Sequence, residues 1–356
     1  MAEDITRRKA HHLELCIQED VGFQRRSTLL SEVELIHNSL PELALEEIDV
    51  STTVWGHRLQ APLLIAAMSG GTPEASAMNR DLASVAQELG LGMGLGSQRP
   101  LLVEGRETAG FFLRDVAPDI LLLGNLGLIQ ARDLPVEVIQ SLVEQVGANA
   151  LCLHVNPAQE LIQPGGDRDF RGGEEAISRL VRALPVPVVV KETGCGMSEA
   201  LGRRLVQAGV QWVDVSGAGG TSWVGVETLR AQGITRAVGE LLWDWGIPTA
   251  ASLAQLSALP LQTIATGGIQ HGLDMARALA LGASMVGLAR PFLLAHHRGG
   301  REGVKDFALS LITTLKTVML LTGCRNLTEL RHTPLVLGPS LWRWVPQDSP
   351  LRARVI

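Results

Sequence analysis

Six polar residues stand where short apolar runs end: Ser69, Ser97, Asn125, Asn156, Lys191 and Ser216. At such positions a side chain can meet a ligand instead of the core, although each taken singly serves equally as a helix N-cap or turn residue. The densest polar stretch is HVNPAQELIQPGGDRDF, residues 154–170, where His154, Asn156, Gln159, Glu160, Asp167, Arg168 and Asp169 crowd into an apolar neighbourhood. A lone carboxylate such as Glu160 suits Mg²⁺, which takes one or two carboxylates and completes its sphere with phosphate oxygens and water. A solvated loop glutamate is the structural alternative. Two glycine-rich segments, ATGGIQHG (265–272) and GLARP (287–291), put small residues or free backbone amides at a loop or helix start, and SGAGGTS (216–222) adds a third. Turn geometry alone explains any one of them; their joint position favours a phosphate cradle.

These residues need a frame. Eight apolar runs carry them: PLLIAAMSGG from Pro62, LGMGLGSQR from Leu91, ILLLGNLG from Ile120, ALCLHVN from Ala150, VPVVVKETG from Val186, WVDVSGAGG from Trp212, TIATGG from Thr263 and SMVGLARP from Ser284. Each is near-continuously hydrophobic and not alternating, the mark of a parallel strand buried on both faces. Helical spacing of apolar residues fills the intervals 74–89, 135–146, 174–184, 198–208 and 272–281. The alternation predicts a closed (β/α)8 TIM barrel over 61–295, with an N-terminal extension 1–60, an insertion from Ser222 to Leu242, and a C-terminal helix and tail over 296–356, all as one domain. The last two glycine segments then follow the seventh and eighth strands, where such barrels bind phosphate. Lys191 ends the fifth strand, where a fixed cation could stabilise negative charge on a reduced flavin ring; an ordinary salt bridge is the alternative.

Composition narrows the partners. Thirty-eight glycines against six Phe, seven Trp and no Tyr fit close backbone approaches, and a net charge of −6 without a basic block gives nucleic acid or an anionic membrane no footprint. No run reaches the length of a membrane span and the start lacks a signal-peptide core, so a cytoplasmic protein is expected. Cys16, Cys152, Cys195 and Cys324 lack C-x-x-C spacing and read as reduced thiols.

Taken in order, the motifs resemble the type 2 isopentenyl diphosphate isomerases, a flavin-dependent barrel family distinct from the metal-only type 1 enzymes. The resemblance rests on RKxxHLxxC (Arg8, Lys9, His12, Leu13, Cys16), AAMSGG (66–71), GSQR (96–99), GNLG (124–127), H-x-N-x-x-Q-E (His154, Asn156, Gln159, Glu160), GDRDF (166–170), VKETG (190–194), SGAGGT (216–221), TGGI and GLARP. It implies that FMN is held by Ala67, Met68, Ser69, Ser97 and Asn125, by Lys191, Ser216 and Thr221, and by Gly267, Gly268, Ile269, Leu288 and Ala289. It implies likewise that Arg8, Lys9, Ser97, Gln98 and Arg99 face the substrate together with His154, Asn156 and Gln159, the last three at the reacting carbons, and that Glu160 binds Mg²⁺. The implied reaction interconverts isopentenyl and dimethylallyl diphosphate by a 1,3-allylic proton shift, with reduced FMN as acid and base and NADPH or NADH only keeping it reduced. A symmetric homo-oligomer, tetramer or octamer, is implied too.

Two departures stand out. His11 occupies a place where an acidic residue is expected, which would weaken docking of the N-terminal arm; Gly173 replaces a usual tryptophan, which would leave the fourth loop more flexible. The chief rival is an FMN barrel oxidoreductase of the 2-hydroxy-acid oxidase type, which needs a histidine base near the sixth and seventh strand ends; His271 lies about a turn too late for it. A dehydrogenase with a loop cysteine nucleophile would have to use Cys195, and a binding-only barrel would have no use for Gln159 beside Glu160 and two N-terminal cations.

Overall fold

The computed structural model describes residues 5–103 and 108–356; residues 1–4, the head of the segment read for a leader, lie outside them. Eight parallel strands close into a barrel: β1 (Leu63–Ile65), β2 (Gly92–Gly94), β3 (Leu121–Gly127), β4 (Ala150–Val155), β5 (Val188–Glu192), β6 (Trp212–Asp214), β7 (Gln262–Ala265) and β8 (Met285–Leu288). They are the eight apolar runs, trimmed to their hydrogen-bonded centres. Val188 to Glu192 is buried throughout, as expected of a strand covered on both faces. Register decides the neighbours at the ligand end: His154 of β4 pairs with Lys191 of β5, which pairs with Asp214 of β6.

Helices follow the expected intervals. They are α2 (Pro73–Leu89), α4 (Val136–Gln145), α6 (Gly173–Ala183), α7 (Glu199–Gln207) and α11 (Gly272–Ala280), with α3 (Leu128–Asp133) and α10 (Thr249–Leu256) outside those intervals. Local chemistry sets their ends: the Thr72 hydroxyl accepts from Ala75 N, Pro73 opens the first turn, and Gly90 closes α2 at φ 62°. Inside the barrel, Leu64, Leu121, Leu123, Cys152, Val189, Ile264 and Met285 form a plug. A hairpin of Thr52–Val54 and His57–Leu59 shuts the far end, with Trp55 edge-on to Trp212 at 4.8 Å.

The N-terminal helix α1 (Ile5–Gln18) brings its motif residues to the barrel mouth. The chain after it lies on the loop that follows β6, where Phe23 N donates to Gly220 O and Ser222 N to Val21 O. The guanidinium of Arg290, just past β8, donates to the carbonyls of Cys16 (2.8 Å) and Glu19 (2.9 Å), capping α1 where its orphan carbonyls collect. The segment 222–242 read as an insertion is two helices, α8 (Trp223–Arg230) and α9 (Gly233–Leu242). After β8 a helical run Arg290–Leu321 breaks at Gly299 and Gly300, and Leu335–Leu337 pairs antiparallel with Val33–Leu35, joining the two ends of the chain.

Both departures from the family pattern have definite places in the structure. His11 is half-buried, with Nδ1 3.4 Å from Arg230 Nε, so it contributes to seating α1. Gly173 is a buried first-turn residue of α6, and a Cβ there would stand 3.0 Å from Leu128 Cδ2. The loop before it is held by Arg132, which donates to the carbonyls of Asp169 and Arg171, so a small residue here means close packing and not looseness. Among the described residues no helix is long and apolar enough to cross a membrane.

Arg290→Ala should uncap α1 while sparing the barrel. Hydrogen exchange is expected to quicken over residues 5–18 with the β-strands still protected; unchanged exchange in α1 would show that its other contacts suffice.

Candidate active site

A cavity of about 400 Å³ opens at the carboxyl ends of the strands. Its lining includes Ala67, Met68 and Ser69 after β1, Ser97 and Arg99 after β2, Asn125 on β3, and His154, Asn156, Gln159 and Glu160 on and after β4. Lys191, Ser216, Thr221, Gly267, Gly268, Ile269, Leu288 and Ala289 complete its inner side, and Arg8 and Lys9 of α1 its outer side. One residue expected to face the substrate does not. Gln98 is fully buried behind the wall, donating to Leu142 O at 2.8 Å and accepting from Asn125 N at 2.9 Å; its amide ties the β2 loop to β3 and its side chain does not line the cavity.

At the outer end three cations converge. Lys9 Nζ donates to Gly70 O (2.7 Å) and Ser97 O (3.2 Å), so it also staples the loops after β1 and β2. Burial, with Arg8 and Arg99 adding repulsion, lowers its pKa to about 7. That is a site short of negative charge. On the facing side Glu160, on the short helix α5 (Pro157–Ile162), accepts from Asn156 Nδ2 (3.0 Å), Gln163 Nε2 (3.2 Å) and Asp167 N (2.8 Å), which fix its carboxylate at the cavity edge. Among the described residues no cluster of three or more His, Cys, Asp or Glu could cage a metal.

In the middle of the cavity the polar side chains bond to one another. Asn125 Nδ2 donates to Leu95 O (3.0 Å), which turns its Oδ1 toward His154 Nδ1 at 2.8 Å. Burial and the nearby Lys191 and Lys9 lower the His154 pKa to about 4, so at neutral pH the ring is uncharged, with its proton on Nδ1. Gly127 makes room for it, since a Cβ there would lie 3.2 Å from His154 Nε2. Asn156 Nδ2 also donates to Gln159 Oε1 (3.1 Å), and Gln159 Nε2 to Glu227 Oε1 (3.3 Å).

Glu227 lay hidden in the supposed insertion. It is fully buried on α8, 2.8 Å from His12 Nε2 and 2.6 Å from Arg230 Nη1. Burial pushes its carboxyl up, but His12, Arg230 and Gln159 outweigh that and hold it below the usual range, while burial lowers the His12 pKa against the pull of Glu227. An acid inside the apolar run VGVETL was the available signal. Trp223, edge-on to His12 at 5.3 Å, was missed with it.

At the inner end backbones pack directly on each other. A Cβ on Gly220 would sit 2.3 Å from Gly268 N, and one on Gly268 2.8 Å from Gly219 C. The loops after β6 and β7 therefore form a cradle that only glycine permits, beside the start of the Arg290 helix, whose first amides have no intrahelical partner.

The rival readings fare poorly. His271 is exposed and caps α11, its Nδ1 accepting from Asp274 N, and burial pushes the Cys195 thiol up, the reverse of what a nucleophile needs.

A parallel barrel with its ligand end built this way is a known architecture. The chain resembles a mandelate oxidase (TM-score 0.63, 19% identity, 92% of this chain and 99% of that one) and a flavocytochrome b2 variant (TM-score 0.67, 20% identity, 98% and 84%), likenesses that speak to fold alone. It thus shares the parallel-barrel fold of those proteins, and residues 169–337 match the FMN-dependent dehydrogenase family model. Sequence is more specific. An isopentenyl-diphosphate delta-isomerase of Synechococcus sp. is 46% identical, covering 94% of this chain and 97% of its own, and one of Pyrococcus abyssi is 40% identical over 99% of both. That of Methanosarcina mazei is 42% identical over 95% and 93%. The chain belongs to the isopentenyl-diphosphate delta-isomerase family, in its FMN-dependent, type 2 form.

Two outcomes follow from the geometry. Gln98→Leu should cost about 2–4 kcal/mol by orphaning Asn125 N and Leu142 O, seen as a lower Tm with little change in ligand affinity. Because burial and its neighbouring cations lower the Lys9 pKa to about 7, affinity for an anionic phosphate should fall about tenfold per unit as pH rises above that value, until the bound-state pKa is reached. In Lys9→Met calorimetric titration should show that slope gone.

Proposed function

We propose that this protein interconverts isopentenyl and dimethylallyl diphosphate by a 1,3-allylic proton shift, with FMN and Mg²⁺ bound in the cavity just described. The observation that carries this reading is a single cavity joining a glycine cradle and Lys191 at one end to Arg8, Lys9, Arg99 and Glu160 at the other. Both groups fit the residues present. The cradle whose Cβ positions are blocked by backbone, with Lys191 beside it, suits a phosphate and an electron-rich ring. Glu160, a lone carboxylate held by amides, suits Mg²⁺ that shares its sphere with a diphosphate.

Ala67, Met68, Ser69, Ser97, Asn125, Ser216, Thr221, Gly267, Gly268, Ile269, Leu288 and Ala289 would hold FMN with Lys191, while Glu160 would hold Mg²⁺. Reduced FMN, when bound, would supply ring atoms able to exchange a proton, and NADPH or NADH would serve only to keep it reduced. Arg8, Lys9 and Arg99 take the diphosphate, the guanidiniums by paired donors and Lys9 as a point charge. Overall one proton is added at the terminal alkene carbon and one removed from the allylic methylene, so no electrons are lost. Gln159, fixed between Asn156 and Glu227, orients the reacting carbons; its amide is too weak an acid to supply the proton unaided. Neutral His154 and Asn156 hold position without adding charge, and α1 with Trp223 keeps water away. A homo-oligomer working in the cytoplasm completes the reading.

Product analysis with isopentenyl diphosphate, FMN, Mg²⁺ and NADPH under anaerobic conditions tests it: dimethylallyl diphosphate is expected, and its absence with all four present would defeat the proposal. Glu160→Gln should abolish turnover at low Mg²⁺ with FMN affinity nearly intact, since the charge is lost and the shape kept. Activity equal to wild type at every Mg²⁺ level would make Glu160 a loop residue only.

A further inference from the structure

Below the cavity floor lies a carboxylate that none of the roles above uses. Asp214, the last residue of β6, is 2% exposed, and its Oδ2 is 3.0 Å from Lys191 Nζ, itself 8% exposed. Its other oxygen accepts from Thr266 Oγ1 and, at 3.2 Å, from Ser216 N. Three strand ends, those of β5, β6 and β7, thus meet on one side chain. Ser216 holds a left-handed φ of 34°, unfavourable for a residue with a Cβ, and its carbonyl receives Gly194 N and Gly196 N. The bond to Asp214 helps hold that turn.

The ammonium has three hydrogens. One goes to Asp214 and one to Glu192 O at 3.1 Å, which leaves a single N–H for the cavity that Lys191 lines. A buried cation deprived of its partner is strongly destabilised, so the carboxylate decides whether the charge stays and where it points. We infer that Asp214 is the positioning residue for Lys191: it keeps the ammonium charged and aimed at the flavin site, and through it sets how much more tightly the site holds reduced than oxidised FMN. This rests on the FMN reading above.

The test is a double-mutant cycle on purified protein titrated with FMN in oxidised and anaerobically reduced form. D214N is expected to lower the ratio of reduced to oxidised affinity about tenfold, equivalent to a fall of about 30 mV in the two-electron potential of bound FMN. K191M should do the same, and D214N in the K191M background should add nothing. T266V removes one support of the carboxylate and leaves the pair, so a smaller fall in the same direction is expected from it should D214N not fold. A rise in the ratio in D214N would mean that Asp214 merely offsets the lysine charge, and additive effects would mean that it acts elsewhere; either overturns the inference. Failure of the wild type to bind FMN at all would instead strike the functional reading on which it rests.

Discussion

Desolvated positive charge at the barrel mouth is the constraint to which the rest of the site answers. Arg8 and Lys9 arrive on α1 and Arg99 on the loop after β2, and burial, with repulsion from the two arginines, lowers the Lys9 pKa. Burying such a cluster is costly unless an anion completes it, and in the proposed function a diphosphate with a magnesium ion on Glu160 is that anion. The remaining features serve to keep that arrangement in place: Arg290 caps α1, Lys9 staples two loops, and the Glu227 network locks Gln159 under the helix.

Flavin oxidases share the barrel, so fold by itself says little about chemistry. What separates this chain from them is local. The histidine nearest the oxidase position is spent as a helix cap, the ring of His154 is neutral and tied to Asn125, and the polar groups at the reacting end are amides. With its pKa lowered to about 4, the His154 ring is a weak base, poorly suited to taking a proton from a 2-hydroxy acid.

Much of this was legible in the residues. The eight strands announced themselves because parallel strands buried on both faces cannot alternate, and the polar residues at their ends fell where the barrel places its chemistry. Gln98 was misread because its neighbours in GSQR face the cavity, whereas its own amide turns back to pair Asn125 N and Leu142 O, a three-dimensional accounting that sequence spacing does not carry. Glu227 and Asp214 were passed over for the same reason: each sits in an apolar run, and only the fold shows that the first meets His12 and Arg230 and the second Lys191. Gly173 looked like looseness and is tight packing against Leu128.

The central claim is that a redox cofactor is used without net redox change, and counting turnovers tests it most directly. Without oxygen, moles of dimethylallyl diphosphate formed should exceed moles of NADPH oxidised many times over, because substrate and product have the same oxidation level and hydride has no acceptor beyond the flavin. One NADPH consumed for each product molecule would contradict the account and place this protein among the oxidoreductases whose fold it shares.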